Sequence, residues 1–223
     1  MKLTNTKEVS SRRFIALIAA ESGVGKTYQA RFLPENETLI ISAEAGLLCL
    51  KNTNIDVCEI NSMKDLEEAY IELAKGTKYK YIFIDSVTEI AEKLLSDMKK
   101  MPDYADRSKA FVLYGDYANK LTDMLKAFRD LQAYSVIMTC LTAQEKDGLQ
   151  MIDCLQMPGQ KVANGIRAWY DEVLHLKVYE KDGVKHRAFI TDNLVSPLAK
   201  DRSGMLEAYE DANIGEIIKK VLA

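Results

Sequence analysis

The sequence predicts an α/β fold, a mainly parallel sheet with helices on both faces, and three observations carry the prediction. Short continuous apolar runs recur along the chain, each ending in a turn signal, as strands buried on both faces require. Between them lie stretches with apolar residues three or four apart, which supply helical crossovers. Late in the chain, Asp182-Gly183 separates two strand-like runs and reads as a hairpin turn.

Phe14 to Ala20 is the first apolar run, and a helix from Gly25 to Phe32 follows, closed by Pro34 and Asn36. Thr38 to Ala43 is the second strand, Asp56 to Ile60 a weaker third, Tyr81 to Asp85 the fourth and Ser135 to Leu141 the fifth. Ser62 stands as an N-cap with Asp65 three residues on, and Met63, Leu66, Tyr70 and Leu73 then share one helical face. Ile90, Ala91, Leu94, Leu95 and Met98 do the same in the next helix, whose last turn carries Lys99 and Lys100. Pro102 marks a loop. The longest periodic stretch runs from about Lys109 to Ala133. Gln144 to Ala168 shows no sustained period and contains Gly148, Pro158, Gly159 and Gly165, so it is expected to be an irregular surface excursion. Val173 to Tyr179 and Val184 to Thr191 form the hairpin, and Ile214, Ile217, Ile218, Val221 and Leu222 a closing helix. One domain is expected, with a core over about 12–142, the irregular loop at 144–168 and the hairpin and last helix over 173–223.

Composition narrows the function classes. The 223 residues are 48% hydrophobic and 28% charged, which is the globular range. No stretch approaches the roughly 18 uninterrupted apolar residues of a membrane span, and the start MKLTNTKEVSSRRF is too polar for the core of a secretory signal. A soluble, cytoplasmic protein with no membrane partner is expected. The four cysteines form no C-x-x-C pair and there are two histidines, so neither a disulfide framework nor a structural zinc site is indicated. A formal net charge of -3 gives no global field that would attract nucleic acid, so any DNA contact must be made locally.

The chemistry begins at Ala20-Glu21-Ser22-Gly23-Val24-Gly25-Lys26-Thr27. In the pattern Gly-x-x-x-x-Gly-Lys-Thr between a strand and a helix, successive backbone N–H groups wrap a β-phosphate and the helix N-terminus adds partial positive charge. Lys26 would contact the β- and γ-phosphates, and the Thr27 hydroxyl would ligate Mg²⁺. Ser22, Gly23, Val24, Gly25, Lys26, Thr27 and Tyr28 are therefore the candidate ATP-binding residues. Ala20 replaces the first glycine of the pattern. Asp85, ending an apolar strand about 60 residues later, stands where a carboxylate holds the Mg²⁺ shell. Glu44, just beyond the second strand, is a candidate base for the attacking water; a solvated loop glutamate is the plain alternative.

These stretches resemble the RecA-like recombinase core. Leu39-Ile40-Ile41-Ser42-Ala43-Glu44 looks like that family's second strand, ending in the glutamate that activates water. Ile82-Phe83-Ile84-Asp85-Ser86-Val87 looks like its Mg-site strand. Lys200-Asp201-Arg202-Ser203-Gly204 is similar to the Lys-Asn-Arg-Phe-Gly element of the bacterial RadA branch, which reaches a neighbouring subunit's nucleotide. The resemblance covers Phe14 to Gly204. The length, Pro158-Gly159 before Tyr170-Asp171-Glu172-Val173, and Ala199-Lys200-Asp201-Arg202 look more narrowly like the small phage-encoded ATPases that include Sak-type single-strand annealing proteins. The resemblance implies an ATP hydrolase dependent on Mg²⁺, acting in DNA recombination or annealing as a homo-oligomer, with Lys200 and Arg202 as fingers supplied in trans. It also implies a polar γ-phosphate sensor at the end of the fifth strand. Leu141 stands there, so either Thr142 or Thr139 substitutes, or the sensor is absent and turnover is slow.

In such proteins the loops after the Mg-site and sensor strands face single-stranded DNA. Here these are Met101 to Lys109 and Gln144 to Arg167, with Arg107, Lys109, Lys146, Lys161 and Arg167 against Asp103, Asp106, Glu145, Asp147 and Asp153. The charges nearly cancel, which suits action with a single-strand-binding protein better than tight autonomous DNA binding. Trp169 is a candidate for base stacking or for core packing. His175 and His186 fall in the hairpin strands, where packing or surface roles are expected. Two other classes share the phosphate loop. A P-loop kinase of a nucleotide or small metabolite would need an arginine-rich lid, yet only Arg129 lies between Ser108 and Gln160. A non-catalytic, nucleotide-dependent assembly protein would keep Lys26 and Thr27 without a working Glu44.

Overall fold

The computed structural model describes residues 13–44, 46–148 and 150–223, together with Leu3 and Asn5. Its sheet runs in the order β10-β8-β7-β1-β5-β4-β2-β3. The parallel part comprises β1 (Ile15–Ala20), β2 (Thr38–Ser42), β3 (Asp56–Glu59), β4 (Tyr81–Asp85), the first half of β5 (Ser135–Asp147) and β7 (Glu172–Lys181). The α/β P-loop fold expected from the sequence is thus the one found. All six residues of β1 are buried, because its position between β5 and β7 leaves neither face to water.

Alternation along β1 divides the core. Ile15, Leu17 and Ala19 face one layer, built by α1 (Met63–Lys75), α2 (Val87–Lys99) and α3 (Ala110–Arg129). Phe14, Ala16, Ile18 and Ala20 face the other, which contains Ala30, Leu33 and the apolar stripe Ile214, Ile217 and Ile218 of α5 (Ile214–Leu222). The helix ends follow the capping rules. Ser62 Oγ accepts from Asp65 N and the Asp65 carboxylate accepts from Ser62 N, closing a capping box on α1. Ser86 caps α2 by accepting from Glu89 N.

Two expectations are corrected. The segment after the phosphate loop is a six-residue 3-10 helix, Thr27–Phe32, rather than an α-helix beginning at Gly25. Gly25, with φ 113°, cannot belong to a helix, and Pro34 forces Leu33 into the extended region, so little chain remains between them. Gln144 to Ala168 is not irregular. β5 runs on to Asp147 and pairs antiparallel with β6 (Gln150–Leu155), before α4 (Gln160–Gly165). Polar residues on both faces of this ribbon hide its period, while Asp147-Gly148, with Gly148 at φ 61°, carried a turn signal. The later hairpin is as expected. Asp182 and Gly183, at φ 55° and 75°, join β7 to β8 (Val184–Ile190), as a type I′ turn requires. β8 pairs in turn with β10 (Tyr209–Asp211), and β9 (Lys200–Asp201) pairs with the start of β7.

Register places the site. Ala20 lies opposite Leu141, Ser42 opposite both Asp85 and Glu59, and Ile84 opposite Met138. The C-terminal ends of the parallel strands therefore share one edge of the sheet, where open α/β sheets bind ligands.

Candidate nucleotide site

From that edge the chain leaves β1 and turns through 21–26. Gly23 at φ 76° and Gly25 at φ 113° occupy conformations that side chains rarely adopt, so the two glycines are what lets the loop close on itself. Ala20 needs no such freedom, because it is still the last residue of β1; this is why the missing first glycine leaves the loop intact. Lys26 is only 6% exposed, and its Nζ bends back to donate to the carbonyls of Ala20 (3.3 Å) and Glu21 (3.1 Å). Burial pushes the ammonium's pKa down, against the opposing pull of the Glu44 and Asp85 charges. With only a short 3-10 helix behind the loop, anion attraction rests on the loop N–H groups and Lys26 more than on a helix dipole.

Asp85 is 1% exposed and sits between two hydroxyls. Thr27 Oγ1 donates to its Oδ2 at 2.6 Å, and Thr139 Oγ1, from the intervening β5, donates to its Oδ1 at 2.5 Å. Burial pushes the carboxyl's pKa up, while these two hydrogen bonds and Lys26 hold it down. Glu44 joins the group through its Oε1, which accepts from Ser86 Oγ at 2.5 Å. The loop before Glu44 is fixed as well: Ala43 N donates to Asp85 O at 2.7 Å, and Lys93 Nζ donates to Ala43 O at 2.9 Å. Lys26, Thr27 and Glu44, with Ser22, Gly23, Gly25 and Tyr28, line one cleft of about 1460 Å³, and Asp85 lies beneath it.

The fit to Mg²⁺ follows from the donor set. A threonine hydroxyl and a buried carboxylate 2.6 Å apart are hard oxygen donors of the kind that ion takes, with phosphate and water completing an octahedron. Among the described residues no three His, Cys, Asp or Glu side chains cluster as a metal cage; Thr27 and Asp85 would hold the ion beside nucleotide and water oxygens.

Other predicted residues are placed elsewhere. Lys200 and Arg202 adjoin the start of β7, where Val173 pairs with Lys200. That is the opposite sheet edge, since Glu172 pairs with Ala16, four residues of strand or roughly 13 Å below Ala20. Lys200 Nζ donates to Tyr170 O at 2.5 Å, and Arg202 pairs with Asp171 at 2.6 Å. Neither belongs to this chain's own cleft. At the sensor position Leu141 lines the cleft, Thr139 is committed to Asp85, and the buried Thr142 Oγ1 has no hydrogen-bond partner among the described residues.

The remaining candidates have plainer settings. Trp169 packs against the core with Lys126 over its ring at 5.0 Å. His175 is buried and its pKa is pushed down to about 4 by desolvation; its Nδ1 lies 2.7 Å from Ser196 Oγ. His186 stacks on Tyr179. Lys109, Lys161 and Arg167 each donate to neighbouring groups of the chain, and Lys146 is exposed on the β5–β6 ribbon. The side chains of Arg107 and Asp147 lie outside the described set.

Residues the sequence did not single out complete the site. The β7–β8 hairpin extends past the sheet edge and holds the phosphate loop from both faces. Lys177, on one face, bridges Asp153 of β6 at 2.8 Å and Glu21 of the loop at 3.7 Å. Arg187, on the other, donates from Nε to Val24 O at 2.8 Å. Buried Gln29 ties the loop's 3-10 helix to the chain after β10. Only the Lys-x-x-x-x-x-x-x-x-x-Arg placement on two strands joined by a turn hinted at the clamp, and it had no meaning before the register was known.

The profile of the AAA domain family matches residues 12–203, a span that holds the phosphate loop, Glu44, Asp85, Lys200 and Arg202. The chain belongs to the AAA domain family. It is accordingly a nucleotide-binding P-loop NTPase, and the matched span stops before β10 and α5, which pack into the same sheet and core. No curated protein matches the chain. Among solved structures similar to it is a KaiC-like protein from the hyperthermophilic archaeon Pyrococcus horikoshii OT3, 16% identical, with 78% of this chain and 76% of that chain covered and a TM-score of 0.43. Among the described residues no helix is long and apolar enough to cross a membrane.

Proposed function

We propose that this AAA-domain protein binds Mg·ATP and hydrolyses it, as a RecA-like ATPase that acts on DNA in recombination or single-strand annealing. The observation that carries hydrolysis is the placement of Glu44. Its carboxylate is held by Ser86, the neighbour of Asp85, and lines the cleft that Lys26 and Thr27 also line. A base on that wall can accept the proton of a water attacking the γ-phosphate, while Lys26 stabilises the charge that develops there. Thr27 and Asp85 would hold Mg²⁺, which would neutralise the phosphate oxygens.

The assembly is a homo-oligomer. Lys200 and Arg202 lie across the sheet from their own phosphate loop, so a finger role requires a neighbour's cleft. The β5–β6 ribbon continues past the strand ends that line the cleft, which supports reading it as the contact for a DNA strand or a single-strand-binding protein. Lys177 supports that coupling, since it joins ribbon and phosphate loop through Asp153 and Glu21.

The test is phosphate release from ATP, with and without single-stranded DNA, beside a scan of nucleoside and small-metabolite acceptors. Release of inorganic phosphate that rises with DNA is expected. Phosphate transfer to an acceptor would replace this reading with a kinase, and nucleotide binding without turnover would leave an assembly protein.

A further inference from the structure

The β7–β8 hairpin is core only at its base, and every residue from Val178 to Arg187 is exposed. Side chains on such a projecting ribbon have no packing to do, so their chemistry is open to a partner. We infer that this ribbon is a contact for single-stranded DNA, held by one aromatic pair and the lysines beside it. The inference rests on the DNA reading above and places a contact outside the loops at 101–109 and 144–167.

Register sorts the side chains into two faces. Lys177 lies opposite Ala188, Tyr179 opposite His186 and Lys181 opposite Val184, so these share one face. Val178, Glu180, Lys185 and Arg187 take the other. The first face thus carries two lysines, two aromatic rings and no carboxylate of the hairpin. Tyr179 and His186 stack with ring centroids 5.4 Å apart and planes 24° from parallel, and Tyr179 is 46% exposed. A stacked ring pair open to water is a platform on which an unpaired base continues the stack. A base inside a duplex has both faces covered by its neighbours, so the platform suits a single strand.

Charge points the same way. From Lys177 to Arg187 the sequence holds four Lys or Arg against two carboxylates, in a chain whose formal net charge is -3. In the loops at 101–109 and 144–167 the two signs cancel, so the local excess of cations that a DNA backbone needs lies on the hairpin. Among the described residues the ion pairs of this stretch are those of Lys177, which leaves Lys181 and Lys185 to meet phosphates.

The ring pair also adjoins the phosphate loop. Lys177, two residues from Tyr179 on the same face, bridges Asp153 of β6 at 2.8 Å and Glu21 at 3.7 Å. Arg187, next to His186, donates to Val24 O at 2.8 Å. Both strands of the hairpin therefore touch the loop within two residues of the rings, and a DNA strand held there bears on the nucleotide.

Fluorescence anisotropy with a labelled mixed-sequence DNA single strand, its duplex and its RNA counterpart tests the assignment, beside ATP turnover with and without the single strand. The unmodified protein should bind the DNA single strand more tightly than the duplex. Tyr179→Ala should weaken the single strand about fivefold or more and abolish its stimulation of turnover, with turnover in its absence unchanged. Tyr179→Phe should bind normally, because the ring remains. Lys181→Gln should flatten the slope of log affinity against log salt by about 0.7, the loss of one phosphate contact on a single strand. Single-strand binding that Tyr179→Ala and Lys181→Gln both leave unchanged would overturn the hairpin contact while the DNA reading stands. Weaker self-association of Tyr179→Ala in sedimentation, with single-strand affinity unchanged, would make the ribbon a protein contact instead. Tighter binding of the RNA strand would overturn DNA as the occupant. An unmodified protein that binds no single strand, with or without Mg·ATP, would overturn the DNA reading itself and the contact with it.

Discussion

Thr27 Oγ1 and Asp85 Oδ2 lie 2.6 Å apart although 58 residues separate them in the chain. Thr139 completes the arrangement from the strand between them, donating to the other oxygen of Asp85. A buried carboxylate that accepts from two hydroxyls is held in orientation, and the two bonds oppose the rise in pKa that burial imposes. Thr139→Val keeps the shape and removes one donor, so burial should raise the Asp85 pKa further. We expect Mg²⁺-dependent ATP affinity to fall about tenfold or more, with Mg²⁺-free nucleotide binding unchanged, as titration calorimetry at two metal concentrations would show. Equal losses with and without Mg²⁺ would make Thr139 a packing residue.

Glu44→Gln retains size and hydrogen bonding to Ser86 but removes the proposed base. Turnover should fall by about two or more orders of magnitude while ATP still binds. Ser86→Ala should lower turnover less, since it frees the carboxylate without removing it. Equal falls in binding and turnover for Glu44→Gln would return Glu44 to a structural role.

Arg202 and its partner Asp171 stand at the sheet edge away from the phosphate loop, so Arg202→Ala should bind ATP nearly normally and hydrolyse it about a thousandfold more slowly. Specific activity of the unmodified protein should rise with its own concentration as subunits meet. Mixing Arg202→Ala with Lys26→Ala should recover activity above either variant alone, because some interfaces then hold a good loop and a good finger. Activity independent of concentration, with no recovery on mixing, would exclude a finger in trans.

Glu172 is fully buried beside Asp201, and one of its oxygens has no hydrogen-bond partner among the described residues. Desolvation, reinforced by the Asp201 charge, pushes its pKa from 4.5 to about 8. The folded protein therefore keeps a proton that the unfolded chain releases above pH 4.5. The sign follows: this stabilisation is fully present below about pH 4.5 and is lost as pH rises through about 8. Glu172→Gln should flatten the fall in Tm across that window and raise Tm at its upper end relative to the unmodified protein. A Tm difference that does not change with pH would refute the buried protonated carboxyl.

The sequence by itself determined the layered α/β class, the order of the parallel strands' runs along the chain, the β7–β8 turn and the phosphate loop. These are local properties. A buried strand needs a short apolar run, a type I′ turn needs residues that tolerate positive φ, and Gly23 and Gly25 are demanded by the loop's own backbone. Asp85 was legible as a candidate because it ends such a run, and Glu44 because it directly follows one. The β5–β6 ribbon was not, since a two-sided polar strand has no hydrophobic period to read. Nor was the clamp by Lys177 and Arg187, the support of Asp85 by Thr139, or the lock by Gln29, because each depends on which strands are neighbours and in what register. The tertiary structure alone decided that Lys200 and Arg202 face away from their own cleft. Strand order and direction are settled by long-range pairing between segments that the chain brings together only on folding, and side chains that meet across those pairings leave no mark on local sequence pattern.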